Sequence, residues 1–161
     1  MRNQSSSDLF VKAKSYAFLL LKFRLRTERE LAGRMKQKKF PPEVISRTID
    51  FLKDKKFIND GIFARAWIDS RLKRSMGLRR VKNELKLKGV PSALIDQSIA
   101  QVKELYSEDE IVADIIKRKI GSMKDLDPLK AKQRIYAFLI RRGFSVDVIM
   151  DNLNQILKDE S

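Results

Sequence analysis

Six apolar positions recur three times along this chain of 161 residues. In the first copy they are Leu31, Met35, Phe40, Ile45, Ile49 and Leu52. They return 50 residues later, without a gap, as Val81, Leu85, Val90, Ile95, Ile99 and Val102. A further shift of 54 residues gives Ile135, Leu139, Phe144, Ile149, Leu153 and Ile156. A repeat of this length is typical of stacked supersecondary units, each of which covers the apolar face of its neighbour.

Each copy contains three segments with the apolar periodicity of a helix. The sequence therefore predicts an all-α protein of three tandem three-helix repeats, stacked into an elongated, curved, solenoid-like array. The predicted repeats are residues 1–58, which include a short disordered N terminus, residues 59–106 and residues 107–161. Such an array offers an extended binding surface rather than an enclosed catalytic pocket.

Capping and helix-breaking residues set the expected helix boundaries. Thr27 and Glu30 have the spacing of a capping box at the start of the second helix. Pro42 suits the first turn of the third helix. Gly77 is expected to end the fourth helix in the left-handed conformation, and Gly89 is expected to end the fifth.

The residue types argue against catalysis. The chain has no cysteine and no histidine, which removes thiolate metal sites, the commonest metal ligand and the commonest general base. Carboxylates at helical spacing, such as Asp50 and Asp54, are interpreted as solvated. No glycine-rich phosphate-binding motif is present. We therefore predict that the protein is not an enzyme and has no catalytic residue, cofactor, metal site or small-molecule substrate.

Apolar segments are short. The longest run, residues 17–21, falls far below the roughly 20 residues of a membrane span. The polar N terminus lacks the apolar core of a signal peptide. The expectation is a cytoplasmic monomer without a membrane partner.

Positive charge is unevenly distributed. The net charge is +14; residues 1–58 carry +9, residues 59–106 carry +5 and residues 107–161 are neutral. An excess of this size predicts a polyanionic partner, such as nucleic acid or an acidic protein surface, for the first two repeats.

The candidate binding residues are basic side chains that point away from the predicted core. Twelve of them form the proposed basic surface: Arg65, Arg71, Lys73, Arg74, Arg79, Arg80, Lys82, Lys86, Lys88, Arg24, Arg26 and Arg34. Around the junction of helices four and five, only Asp69 and Glu84 are expected to offset the cluster. Guanidinium groups can bind phosphate or carboxylate oxygens in pairs, and lysine adds compact charge.

Large apolar side chains at the repeating positions are assigned to the core. The predicted core residues are Phe63, Trp67, Val81, Leu85, Leu31, Met35, Phe40 and Phe144. The aromatic members could instead be platforms on which bases stack, but their periodic spacing favours packing.

Two segments of the second repeat carry a resemblance to a known family. Residues 60–71 read DGIFARAWIDSR, and residues 77–90 read GLRRVKNELKLKGV. They resemble the RecX family, which shows a Phe-Ala pair, an aromatic residue, arginine, glycine, paired basic residues, Glu-Leu and Lys-Gly in this order. Residues 26–34 are similar to the family pattern R-x-x-x-E-L-x-x-[KR]. Three positions depart from it: Leu78 replaces a usual proline, Lys39 a usual glycine and Asn59 a usual acidic residue.

The resemblance implies a regulator of the RecA recombinase. Proteins of that family bind RecA filaments on single-stranded DNA and suppress ATP hydrolysis, strand exchange and coprotease activity, by limiting filament growth or promoting disassembly. The expected partners are thus the RecA filament and single-stranded DNA, with double-stranded DNA left open. Two alternatives remain: a general DNA-binding protein that acts independently of RecA, and a helical scaffold for protein interactions.

Overall fold

The computed structural model describes residues 5–159. These residues form nine α-helices and no β-strand. The helices are α1 Ser6–Phe23, α2 Glu28–Gln37, α3 Pro42–Asp54, α4 Asp60–Leu72, α5 Leu78–Leu87, α6 Ser92–Lys103, α7 Glu108–Ser122, α8 Pro128–Arg142 and α9 Val146–Asp159. The all-α prediction is confirmed for the described part of the chain, and the helices occur in three groups of three.

Polar side chains cap several helices as the sequence predicts. The hydroxyl of Thr27 accepts a hydrogen bond from the backbone N–H of Glu30, and the Glu30 carboxylate accepts one from the Thr27 N–H. This capping box is confirmed. Ser5 caps α1 by accepting from the Asp8 N–H. The predicted disordered N terminus falls on residues before this cap, which lie outside the described residues.

The described part of the chain divides into two compact units. Unit 1 contains residues 5–66 and Leu85–Ile95, and unit 2 contains Trp67–Glu84 and residues 96–159. The division passes through α4, α5 and α6, so the middle group of helices contributes to both units. The predicted repeat bounds at residues 58 and 106 stay a prediction.

The repeating apolar positions supply the interior of both units. Fourteen of the eighteen are buried, and the other four, Phe40, Ile45, Ile49 and Val102, are half-buried. In unit 1, α1, α2 and α3 enclose a core that includes Ala13, Ala17 and Leu31. In unit 2, α7, α8 and α9 enclose a second core. Each core belongs to one group of helices, as expected when the repeating stripe faces inward.

Two of the assigned core residues are not fully buried. Phe40 packs against the core of unit 1 from its margin, with its ring 6.2 Å from that of Tyr16. Trp67 lies half-buried because its indole N–H donates to Glu84, while the guanidinium of Arg71 stacks 4.2 Å above its ring. The other six are at most 4% exposed.

Left-handed residues follow the second helix of each group. Lys39, Gly89 and Gly143 occupy equivalent positions in the three copies, with φ angles of 62°, 81° and 90°. Gly89 therefore ends α5 as predicted. The prediction for Gly77 is wrong: Ser75 supplies the positive φ after α4, at 52°. Gly77 is required for a different reason, because a Cβ there would overlap the backbone of Gly143.

One hydrogen bond recurs beside these left-handed glycines. In unit 1 the Thr27 hydroxyl donates to the carbonyl of Lys88, which precedes Gly89, at 2.6 Å. In unit 2 the backbone N–H of Gly77 donates to the carbonyl of Arg142, which precedes Gly143, at 2.9 Å. Each donor stands just before the second helix of one group, and each acceptor stands at the end of the second helix of the next.

A second recurring bond joins the starts of helices. The N–H of Glu28, the first residue of α2, donates to the carboxylate of Asp60, the first residue of α4, at 3.0 Å. The N–H of Leu78, the first residue of α5, donates to the carboxylate of Glu108, the first residue of α7, at 2.6 Å. Burial raises the pKa of both carboxyl groups more than these bonds lower it. An acidic residue that begins one helix thus satisfies an otherwise unpaired donor of another.

The left-handed lysine after α2 provides a test of backbone strain. Lys39→Gly should raise the free energy of unfolding by about 1 kcal/mol, because a non-glycine residue is disfavoured at positive φ. Lys39→Ala is the matched control, since it removes the same charge but keeps the Cβ. Denaturant unfolding measures both. Equal stabilities of the two variants would contradict the strain.

Close backbone contact at Gly77 provides a second test. Gly77→Ala should lower the free energy of unfolding by about 1–3 kcal/mol, because its Cβ overlaps the Gly143 carbonyl. Gly33→Ala is the control: in α2 its Cβ meets nothing within 4 Å, and alanine favours a helix by about 1 kcal/mol. Thermal unfolding should move in opposite directions for the two variants, and a shift in the same direction would contradict the packing argument.

Candidate anion-binding surfaces

A basic groove lies in unit 1, beside α2 and the end of α5. Its volume is about 480 Å³. Five cationic side chains and one carboxylate line it: Arg24, Arg26, Arg29, Arg34, Lys88 and Glu30. The structure thus brings together four of the twelve predicted binding residues, and adds Arg29. We call this surface the unit 1 groove.

The carboxylate of Glu30 is the one acidic group in the lining of the groove. Arg24 donates two hydrogen bonds to it, at 3.0 and 3.1 Å, and Lys88 donates a third at 3.2 Å. Burial by itself would raise the pKa of Glu30, but the bonds from Arg24, Thr27 and Lys88 outweigh it and lower the pKa to about 2. Two of the five cations therefore already have an internal partner.

Positive charge remains crowded in the groove after these pairs are counted. Arg26 donates to the carbonyl of Leu20 at 3.3 Å rather than to a carboxylate. Burial, together with the neighbouring charge of Arg24, lowers the pKa of the Arg26 guanidinium. Arg34 is exposed and has only a long contact, 3.5 Å, to the Gln37 side chain. An external anion would relieve this repulsion.

In unit 2, Glu84 organises a compact cluster. Its carboxylate accepts from Arg71 at 2.6 Å, from the Trp67 indole at 2.9 Å and from Arg80 at 3.0 Å. Burial alone would raise the Glu84 pKa, yet hydrogen bonds from Arg71, Arg80 and Trp67 lower it. Arg80 also donates to the carbonyl of Arg141. Arg71 and Arg80 are therefore held by the fold.

The predicted basic surface thus contains two kinds of residue. Arg24, Arg71, Arg80, Lys82 and Lys88 form internal ion pairs, Lys82 with Asp96. The expectation that only Asp69 and Glu84 offset the cluster around helices four and five therefore missed two carboxylates, because Asp96 pairs with Lys82 and Glu30 pairs with Lys88. The sequence pattern missed these pairs because Lys82 and Asp96, or Lys88 and Glu30, meet only through tertiary packing.

Other members of the surface are exposed and available. Arg65, Lys73, Arg79 and Lys86 are exposed, and no described residue gives their side chains a hydrogen bond or an ion pair. Arg74 is also exposed; its backbone groups bond to Arg71 and Arg142, but its side chain has no hydrogen bond or ion pair among the described residues. These side chains can bind an external anion without breaking an internal contact.

A further cationic pocket, in unit 2, was missed by the sequence analysis. Arg74 and Ser75, after α4, lie with residues of α7 and α8 around a pocket of about 230 Å³. The other lining residues are Ile115, Arg118, Lys119, Phe138 and Arg142. Counting charge by repeat concealed it, because the acidic residues that make residues 107–161 neutral in sum are not among the residues that line the pocket. We call this the Phe138 pocket.

These surfaces are suited to binding anions. Among the described residues, no three acidic side chains are gathered as they would be at a metal site. No helix in residues 5–159 is long and apolar enough to cross a membrane. Guanidinium and ammonium groups on an open surface recognise phosphate or carboxylate oxygens.

Family models account for most of the chain. Models of the first, second and third three-helix domains of RecX match residues 13–52, 59–99 and 107–151. The chain belongs to the RecX family. The resemblance predicted from residues 60–71 and 77–90 is confirmed, and so are three tandem three-helix repeats.

Individual relatives agree with this assignment. A regulatory protein RecX of Streptomyces lividans is 31% identical over 160 residues, which cover 99% of this chain and 85% of the relative. One from Chlorobium limicola is 33% identical over 148 residues, 91% of each chain. The crystal structure of RecX from Lactobacillus salivarius has a TM-score of 0.81 at 22% identity, covering 94% of this chain and 98% of that one. The structural likeness shows the same fold.

The low pKa of Glu30 predicts how stability depends on pH. A depressed carboxyl pKa adds stability that is complete above the unfolded value, about 4.5, and is lost as the pH falls towards about 2. Glu30→Gln should therefore lower the free energy of unfolding by about 2–3 kcal/mol near neutral pH. The variant should also lose less stability than wild type when the pH is lowered. Urea unfolding at several pH values measures this difference.

Glu43→Gln serves as the control for that experiment. Glu43 is exposed in the first turn of α3 and has no ion pair among the described residues. Its variant should follow the wild-type pH dependence. The same curve for Glu30→Gln and wild type would contradict the role of the Arg24 and Lys88 contacts.

Proposed function

We propose that this RecX-family protein binds RecA filaments on single-stranded DNA and inhibits the recombinase, ATPase and coprotease activities, by limiting filament growth or promoting disassembly. It would act as a negative modulator of recombination and DNA repair, by binding and not by catalysis. The observation that supports this most directly is the unit 1 groove, where five cations line the surface with one carboxylate.

The charge arrangement fits a filament rather than an isolated small anion. Besides the groove, exposed cations without internal partners occur on α4 and α5 and in the turn after α4: Arg65, Lys73, Arg79 and Lys86. A recombinase filament on DNA presents phosphates together with protein surface over a long distance. Charges spread along a protein raise the rate of association with such a polyanion and make its affinity depend on salt.

Reversing exposed charges tests the proposal without disturbing the fold. The triple variant Arg34→Glu, Arg79→Glu and Lys86→Glu avoids the cations that hold Glu30 and Glu84. At sub-stoichiometric amounts, wild-type protein should lower the DNA-dependent ATPase of the host recombinase. The triple variant should need about tenfold more protein for the same inhibition, because like charges now oppose binding.

A charge-matched control separates a local surface from net charge. Lys117→Glu, Lys130→Glu and Arg134→Glu change three exposed cations of residues 107–161 and the same total charge. This control should inhibit like wild type. Unchanged ATPase and filament length at saturating wild-type protein would contradict the proposal.

Two other outcomes would identify the alternatives. A general DNA-binding protein would bind bare DNA with a steep salt dependence that the recombinase leaves unchanged. A scaffold that binds by packing would keep its affinity for the filament in the triple variant. Electron microscopy of filaments with and without the protein distinguishes binding at filament ends from binding along the filament.

A further inference from the structure

The lining of the Phe138 pocket in unit 2 is positively charged, although residues 107–161 have no net charge. Four cations line it, and no carboxylate does. Arg118 is paired with Asp114 at 2.7 Å. Arg74, Lys119 and Arg142 have no carboxylate partner among the described residues. Three cationic side chains thus meet in one concavity without an internal anion.

Aromatic and backbone contacts hold Lys119 and Arg142 in place. The Lys119 ammonium lies 3.8 Å from the centre of the Phe138 ring, and the Arg142 guanidinium lies 5.1 Å from it. Arg142 also donates to the backbone carbonyl of Arg74. The hydroxyl of half-buried Ser75 lies in the same lining and adds a neutral donor. Positioned charges lose less conformational entropy on binding than free surface lysines do.

Two cations of the pocket have equivalents in unit 1, and those equivalents bind a carboxylate. Arg24 and Lys88 stand at the positions that correspond to Arg74 and Arg142, by offsets of 50 and 54 residues. In unit 1 both donate to the Glu30 carboxylate. The residue equivalent to Glu30 in the next copy is Arg80. Arg24 and Lys88 therefore have an internal anion, Glu30. For Arg74 and Arg142 the equivalent position holds a further cation, Arg80.

From this geometry we propose that the Phe138 pocket binds the phosphate backbone of single-stranded nucleic acid. This gives the charge-neutral third repeat a part in a nucleic-acid contact, together with Arg74 and Ser75 of the second. The site is separate from the unit 1 groove, and the proposal does not require any effect on a recombinase.

Charge and size favour a phosphate chain over a protein carboxylate. In unit 1 a carboxylate is satisfied by Arg24, Lys88 and the N–H of Thr27. The Phe138 pocket instead has three cations without a carboxylate partner among the described residues, beside Arg118, which pairs with Asp114. Adjacent phosphates on one strand can engage several of them together. A volume of about 230 Å³ holds roughly eight waters, which suits a phosphate group and its sugar better than a folded element of another protein.

The ring of Phe138 is not proposed to stack with a base. Lys119 already covers it at 3.8 Å, so its role is to position that ammonium. Recognition through phosphates alone predicts little dependence on base sequence. A thymine homopolymer is therefore an adequate probe.

The test measures binding of a fluorescent 20-nucleotide thymine oligomer, about 20 phosphates long, to the full chain without recombinase. The double variant Arg74→Gln and Lys119→Gln should weaken binding about tenfold at moderate salt. The slope of log affinity against log salt should fall by about 1.4, because each lost phosphate contact on single-stranded DNA contributes about 0.7. Anisotropy at four or more salt concentrations gives both values.

Matched variants make the result specific. Lys117→Gln with Arg134→Gln removes two exposed cations of the same repeat outside the pocket, and should leave the slope unchanged. Lys119→Arg keeps the charge and should bind like wild type. Circular dichroism and thermal unfolding establish whether each variant is folded. If the double variant does not fold, the single variant Lys119→Met is measured in its place.

Two results would overturn the proposal. The first is an equal slope for the pocket variant and its control. The second is a pocket variant that loses affinity for a poly-glutamate peptide but keeps its affinity for the oligomer, because the pocket would then recognise acidic protein. If the recombinase ATPase assay fails while the oligomer assay gives the expected slope, the pocket stands and the proposed filament activity does not.

Discussion

A hydrogen bond to the carbonyl that precedes a left-handed glycine joins helices of neighbouring groups within each unit. In unit 1 the Lys88 carbonyl accepts from the Thr27 hydroxyl, and in unit 2 the Arg142 carbonyl accepts from the Gly77 N–H. Because the glycine beside it has no Cβ, the end of one helix can approach the start of another closely enough for this bond. Substituting Gly89 would press a Cβ against the Arg29 side chain.

This contact explains why equivalent positions tolerate different residues. Lys39, Gly89 and Gly143 all have positive φ, but close approach is required only where a preceding group of helices packs against the turn. Lys39 follows α2, and the positive φ there destabilises only the local backbone conformation. Thr27 and Gly77 likewise supply the same donor by different chemistry, a hydroxyl and a backbone N–H. The same carbonyl position is therefore satisfied in both units although the residues that supply the donor differ.

Periodicity and capping were sufficient to predict the helices, since both depend on residues near in sequence. The Thr27–Glu30 capping box and the last two helices follow from such local signals. Pairing of charges could not be predicted in the same way. Lys88 and Glu30 are 58 residues apart, and they meet where the Thr27 hydroxyl bonds to the Lys88 carbonyl. For the same reason Trp67 was assigned to the core, although its contacts with Glu84 and Arg71 leave it half-buried.

Net charge by repeat is consequently a poor guide to where an anion binds. The fold places cations from different helices at equivalent junctions, and the residue equivalent to Glu30 decides whether they are neutralised. In unit 1 that residue is Glu30, which accepts hydrogen bonds from Arg24 and Lys88. An external anion would therefore bind mainly to the other cations of the groove. In unit 2 the equivalent residue is Arg80, which pairs with Glu84. No carboxylate among the described residues then neutralises Arg74 and Arg142. Local pairing, set by packing, thus determines the availability of each cation more than its number in the sequence does.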